Sequence, residues 1–200
     1  MNAAKAAHWI AALIADGGAV ALSGGATPKP VYEALAELPL PWDRVHWFFG
    51  DERFVPPDDR ESNYRMAREA MLFRAPPENV HAIPTVGVTL DKAAARYEAV
   101  LPERFALVLL GLGTDGHTAS LFPGSPVLDE RVRRVAAVPD KDPPRITLTY
   151  PALENADHVA FLVSGADKDA VLARVRAGDK SLPAARLRPK GELRFFTDSD

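Results

Sequence analysis

Phe105-Ala106-Leu107-Val108-Leu109-Leu110-Gly111-Leu112-Gly113-Thr114-Asp115-Gly116-His117 is an unbroken apolar run that ends in a glycine-rich loop carrying an acid and a histidine. Six apolar residues without alternation suit a strand buried on both faces, the position of a central strand in a parallel sheet. Such a strand needs helices over both faces, and the flanking sequence offers them.

Working upstream, the pattern predicts a helix over residues 90–101, a short strand over 80–83 and a helix over 63–72 with Ser62 as its N-cap. Residues 45–49 read as a strand halted by Gly50-Asp51. Pro28 sits where a helix can begin, because its missing N–H costs nothing in the first turn. Val31, Leu35 and Leu38 then share a helical face. Residues 19–22 form a strand and 3–15 a helix. Downstream, strands are predicted at 132–138, 145–149, 158–163 and 193–196, with a helix over 167–176. Strand–helix alternation along the whole length predicts an α/β fold: an open, mainly parallel, doubly wound sheet with helices on both faces, and residues 1–200 as a single domain. In such sheets ligands bind beyond the carboxyl ends of the strands.

Composition narrows the classes. The 200 residues are 47% hydrophobic and 26% charged, an ordinary globular mixture. A net charge of −3 gives no electrostatic ground for nucleic-acid or membrane partners, so any anion site must be a local cluster. The absence of cysteine excludes disulfides, thiolate metal sites and a cysteine nucleophile. The apolar stretch near the N-terminus is interrupted by Asp16 and is too short to span a bilayer, which points to a cytoplasmic protein.

Four strand ends carry unusual residues. Ser23-Gly24-Gly25-Ala26-Thr27-Pro28 precedes a helix; paired glycines let backbone N–H groups approach an anion, and the helix dipole favours it. The same spacing also suits an ordinary strand–helix turn, and no Walker lysine follows. Gly50-Asp51-Glu52-Arg53 reads alone as a charged loop, although Arg53 suits a bidentate contact to phosphate or carboxylate. Ser164-Gly165-Ala166-Asp167-Lys168 opens a helix, with Lys168 either solvated or completing a phosphate cradle. Arg145, opening a strand, is a weaker candidate for the same role.

The loop after residue 110 is the richest. Gly111, Gly113 and Gly116 match G-x-G-x-x-G, but Pro123-Gly124 and Pro126 interrupt the long crossover helix that a dinucleotide site requires. What remains is a glycine-freed loop presenting Asp115 and His117. Histidine titrates near neutrality and can take a proton from water, with Asp115 placed to orient it. His8, His46, His81, His117 and His158 have no metal-ligand spacing, and no G-x-S-x-G elbow exists. Ser120, three residues after His117, is the remaining hydroxyl that could pair with it.

Taken together, LSGGATPKPVYEAL (22–35), FFGDERFVPPDDRESNY (48–64), LLGLGTDGHTASLFPGS (109–125), RITLTYPAL (145–153) and LVSGADKDAVL (162–172) resemble the 6-phosphogluconolactonases of the pentose phosphate pathway, in order and over nearly the whole chain. DGHTASLFPG is the most specific piece. The resemblance implies hydrolysis of 6-phospho-D-glucono-1,5-lactone without a metal or organic cofactor, on a fold related to glucosamine-6-phosphate deaminase. It implies His117 as base beside Asp115, and phosphate contacts at Ser23, Gly24, Gly25 and Thr27. Arg53 becomes a phosphate or lactone contact, and Lys168 and Arg145 match basic positions of the family. Asp51 and Asn63 either touch substrate or shape their loop, as Gly113 and Gly116 shape theirs. The expected partner is the phosphosugar lactone, for a monomer or weak homo-oligomer. Relatives usually carry an extra first strand and a longer C-terminal tail, so an edge strand and final helix are expected to be missing. Two rivals differ by class. A deaminase-like isomerase needs a glutamate that Ala119-Ser120-Leu121-Phe122-Pro123 does not supply. A sugar-phosphate sensor needs a basic helix-turn-helix stretch, which is not present.

Overall fold

The computed structural model describes residues 1–199. Helix α1 (Ala3–Leu13) is capped by Asn2, whose side chain accepts the Lys5 N–H, and leads through two glycines to β1 (Gly18–Leu22). Next come α2 (Lys29–Ala36), β2 (Val45–Phe49) and the short β3 (Asp51–Arg53). Helix α3 (Asn63–Ala70) begins at Ser62, whose hydroxyl accepts the Arg65 N–H, so the predicted cap is borne out. Helix α4 (Leu90–Val100) precedes β4 (Phe105–Leu110); β5 (Val135–Val138) and β6 (Arg145–Leu148) follow. The chain closes with α5 (Tyr150–Leu153), β7 (Ala156–Leu162), α6 (Asp169–Arg176), α7 (Pro183–Arg186) and β8 (Glu192–Phe196).

Five strands form a parallel sheet in the order β2-β1-β4-β7-β8. β4 lies in its middle, with Phe105, Leu107, Val108 and Leu109 wholly buried, as its unalternating sequence required. Helices flank this sheet, so the predicted α/β architecture holds. The remaining strands β3-β6-β5 form a separate antiparallel sheet that the alternation pattern did not distinguish. β5 and β6 are joined by a short connection, which an antiparallel pair accepts and a parallel pair does not. Gly50 is the junction: its N–H donates to the Leu22 carbonyl of one sheet at 2.8 Å, and its own carbonyl accepts the Leu148 N–H of the other at 2.8 Å.

Three predicted spans need correction. Residues 80–83 form no strand; Val80 makes one isolated bridge to Trp47 and the His81 N–H donates to the Trp47 carbonyl at 2.8 Å, but the tight turn Pro77–Asn79 before them and Pro84, which has no N–H, after them leave no room to extend the pairing. β5 starts at Val135 rather than 132, since the Glu130 carboxylate accepts the Val132 and Arg133 N–H groups and turns that segment outward, leaving Val132 exposed. The helix expected from Asp167 starts as a tight turn over Ala166–Lys168 before α6 proper.

Two tyrosines fasten the ends of the strands that carry the site. The Tyr97 hydroxyl donates to the Phe49 carbonyl at 3.0 Å and accepts the Phe49 N–H at 2.6 Å. Tyr32 does the same at Ser23, at 2.8 and 2.9 Å. Burial pushes both phenols well above their ordinary value. Among the described residues, no helix is long and apolar enough to cross a membrane. Tyr97→Phe strips both partners from a buried backbone unit, so it should lower unfolding free energy by about 1–3 kcal/mol in urea titrations. An unchanged midpoint would show that the hydroxyl is dispensable to the strand end.

Candidate active site

The turn that follows β4 is built around contact between its acid and its histidine. Asp115 Oδ1 lies 2.5 Å from His117 Nδ1 and also accepts the His117 N–H at 3.0 Å. That bond assigns the ring proton to Nδ1 and leaves the Nε2 lone pair available. Gly113 closes the turn by donating to the His117 carbonyl at 2.9 Å, and Gly116 donates back to Gly113 at 3.0 Å. A Cβ on Gly113 would stand 2.0 Å from His117 Nδ1 and 2.7 Å from Asp115 Oδ1, so only glycine permits the pair. Gly116 needs its freedom for a different reason: its φ is +82° and Leu182 presses against it. Phe122 covers the imidazole with ring centroids 4.6 Å apart. Partial burial opposes charge on Asp115, but the His117 N–H, ring and charge outweigh it and hold the carboxyl below its ordinary value.

Downstream the chain is pinned. Thr118 Oγ1 donates to the Gly111 carbonyl at 2.9 Å, and the Ser120 N–H donates to Thr147 Oγ1 at 3.1 Å. Between them Ala119 is forced into the left-handed region at φ +47°, unusual for a residue with a Cβ. Ser120 Oγ donates to Asp51 Oδ2 at 2.6 Å, so its hydroxyl serves Asp51 and does not pair with His117.

Asp51 also meets Asn63, whose amide donates to the Asp51 carbonyl at 2.9 Å and to its Oδ1 at 3.3 Å. The Asn63 side chain lies flat against Gly24; a Cβ there would be 1.9 Å from Asn63 Oδ1. The glycine pair therefore serves packing as well as approach to an anion: Gly24 makes room for Asn63, and Gly25 adopts φ +95°. Glu52, which the sequence reading passed over, is 3% exposed. Its carboxylate accepts the N–H groups of Arg53, Asn63 and Tyr64, each at 2.8 Å, and the Ser62 hydroxyl at 3.1 Å. Burial raises its pKa, and the three backbone donors oppose that. It thereby ties β3 to the first turn of α3. Its sequence signal was an acid at a strand end ten residues before an N-cap serine.

Ser23, Gly24, Gly25, Thr27, Asp51, Asn63, Gly113, His117, Arg53 and Lys168, all named from sequence, border one cleft of about 240 Å³ at the carboxyl edge of the parallel sheet. Asp115 and Gly116 stand behind His117 and do not border it. Arg145 does not border it either. It sits opposite Arg53 in the β3–β6 register, with its Nη1 donating to the Pro143 carbonyl at 2.9 Å. Burial lowers the Arg145 pKa, and the neighbouring Arg53 charge adds to this. Arg53 itself donates to the Glu61 carbonyl at 2.6 Å. Larger hollows of about 460, 500 and 360 Å³ lie elsewhere; none is lined by a glycine turn, and the one histidine among their linings, His8, has no carboxylate beside it there. Among the described residues, no three His, Asp or Glu side chains gather as a metal site.

The sheet order and the loops at its carboxyl edge make the molecule an open α/β protein with a polar cleft at the carboxyl ends of its parallel strands. The chain belongs to the family of glucosamine-6-phosphate isomerases/6-phosphogluconolactonases, whose profile matches residues 2–195. A 6-phosphogluconolactonase from Nostoc sp. is 46% identical over 195 residues, spanning 90% of this chain and 81% of the relative. One from Thermotoga maritima is 40% identical over 183 residues, spanning 88% and 82%. The crystal structure of 6-phosphogluconolactonase from Thermotoga maritima superposes with a TM-score of 0.88 at 36% identity, over 98% of this chain and 94% of that one. A monomeric glucosamine-6-phosphate deaminase shares the fold with a TM-score of 0.84 at 19% identity, over 98% and 92%.

The depressed Asp115 pKa has a pH consequence. Relative to the unfolded chain, whose aspartate titrates near about 4, the folded state favours the carboxylate. Its contribution is present above that value and is lost as pH falls through the lower folded value. Unfolding of the protein and of Asp115→Asn, measured from about pH 7 to pH 2, should show a constant gap near neutrality that closes in acid. A gap independent of pH would remove the ionised pair from the account.

Proposed function

We propose that the chain hydrolyses 6-phospho-D-glucono-1,5-lactone to 6-phospho-D-gluconate, with His117 activating the attacking water and no covalent intermediate. The observation that carries this reading is the Asp115-oriented His117, which borders the same cleft as the Ser23-Gly24-Gly25 turn, Arg53 and Lys168. The names of relatives at 40–46% identity support the substrate class.

A lactone is an activated ester, so a placed water and a base suffice. His117 Nε2 takes a proton as the water oxygen bonds to C1, and the carbonyl oxygen becomes an alkoxide. Arg53 and the loop N–H groups oppose that developing charge. The C1–ring oxygen bond then breaks, and the imidazolium returns its proton to the departing ring oxygen, leaving a hydroxyl and a carboxylic acid that ionises. Asp115 stabilises the charged ring between these transfers. Ser23, Gly24, Gly25 and Thr27, at the start of α2, hold the phosphate with Lys168 and fix C1 against the water, so remote binding assists the chemical step. Arg145, beside Arg53, adds positive potential to that end of the cleft.

Hydrolysis of freshly made lactone, followed by coupled oxidation of 6-phosphogluconate and corrected for spontaneous opening, tests the reading. His117→Ala should lower kcat by about 100-fold or more, the scale of a general base. Gly113→Ala should approach that loss, since its Cβ displaces the imidazole. A loss below about fivefold for His117→Ala would remove it as the base. Phosphosugar binding without turnover by the wild type would make the chain a binding module instead. Lys168→Ala should raise KM for the phosphorylated lactone by about tenfold or more, against little change for glucono-1,5-lactone, whereas Arg53→Ala should also lower kcat on both substrates, since Arg53 faces the developing oxyanion. An equal KM rise on both substrates for Lys168→Ala would take it out of the phosphate site.

A further inference from the structure

Lys168 reaches the cleft from the turn after β7, and that turn is gripped by a residue that does not border the cleft. Asp198 lies two residues beyond β8. Its Oδ2 accepts the Gly165 N–H at 2.8 Å and its Oδ1 accepts the Ser164 hydroxyl at 2.7 Å. The Met1 amino group also rests on Oδ1. Gly165 has a φ of +108°, which a side chain would resist, and its carbonyl accepts the Lys168 N–H at 2.9 Å. That last bond closes the tight turn Ala166–Lys168, from which α6 departs. A short chain of contacts therefore runs from Asp198 through Gly165 to the Lys168 backbone. The β7–β8 ladder is continued to the point of grip, because Val163 N–H donates to the Phe196 carbonyl at 2.9 Å.

A half-exposed carboxylate shared among the Met1 amino group, one backbone N–H and one hydroxyl of a glycine turn fixes the course of that turn, through bonds stronger than their neutral equivalents. The side chain that gains from this is Lys168, whose four-carbon stem carries its charge to the anion only if its Cα is held.

We propose that Asp198 is a positioning residue for phosphate binding, acting through the Ser164-Gly165 turn to hold Lys168 at the cleft; the proposal rests on the reading of Lys168 as a phosphate ligand. The sign of its effect separates positioning from bulk charge. Removing an anion favours an anionic ligand on Coulomb grounds alone, whereas loss of positioning weakens it.

Steady-state kinetics of Asp198→Ala, Asp198→Asn, Lys168→Ala and the Asp198→Ala/Lys168→Ala double variant, on the phosphorylated lactone and on glucono-1,5-lactone, test this. Asp198→Ala should raise KM for the phosphorylated substrate about fivefold, with kcat within about twofold and the plain lactone unaffected. Asp198→Asn keeps one acceptor oxygen and should fall between wild type and the alanine variant, which also serves if the latter folds poorly. The double variant should be no worse than Lys168→Ala, because the two act as one unit. If Lys168→Ala raises KM while both Asp198 variants do not, or if their effects multiply in the double variant, the link is overturned. Equal KM rises on both substrates overturn it as well. An unchanged KM in Lys168→Ala would instead overturn the phosphate reading of that lysine, and the proposal with it.

Discussion

Gly50 bonds to both sheets at once, and the site is assembled around that junction. The Leu22 carbonyl and the Leu148 N–H can both reach its backbone only where a β1–β2 strand end and β6 come together, and a Cβ at Gly50 would lie 3.3 Å from the Leu22 oxygen. The next residue, Asp51, therefore emerges where two sheets diverge. There it collects Ser120 from the loop of His117 and Asn63 from the helix that packs on Gly24. The His117 loop and the Ser23–Thr27 turn share no sequence neighbourhood, and this carboxylate is what relates one to the other. Buried polar networks of this kind give a defined geometry only when most of their groups are satisfied.

Charge is distributed with the same economy. The whole chain carries −3, yet the cleft gathers Arg53 and Lys168, with Arg145 opposite Arg53 in the β3–β6 pair. Two arginines opposite each other across an antiparallel pair repel, and burial sets Arg145 against its own charge. An anion at the cleft relieves both penalties. Glu52 does not supply that anion locally, because its oxygens are committed to the first turn of α3. Asp115 is likewise committed to His117, which keeps the imidazole in one tautomer. Glu52 and Asp115 are thus occupied by the protein, while Arg53 and Lys168 border the cleft, Lys168 with Asp167 as a neighbour at 3.7 Å.

Much of this was legible in the residues. β4 had to be central because it is apolar on every residue, and the two-residue separation of Asp115 and His117 among glycines announced a turn rather than a strand. The loops rich in glycine and charge at the strand ends border one cleft at the carboxyl edge of the parallel sheet, the edge at which such sheets bind ligands. Less legible was which strands joined which sheet: β3, β5 and β6 have the short apolar signature of any strand, and pairing is decided by partners far along the chain. Residues 80–83 show the limit from the other side, where a suitable apolar stretch earned only a single bridge.

By itself, then, the order of amino acids determined the class of fold, the loop that holds Asp115 beside His117, and the glycine turns, because each follows from local periodicity or from a conformation only glycine adopts. Tertiary structure alone decided that Ser120 serves Asp51, that Glu52 caps α3, that Arg145 pairs opposite Arg53, and that Asp198 grips the turn of Lys168. Those are contacts between side chains and backbone groups distant in the chain. Their partners are chosen by where the two sheets and their helices come to rest, which no local pattern encodes.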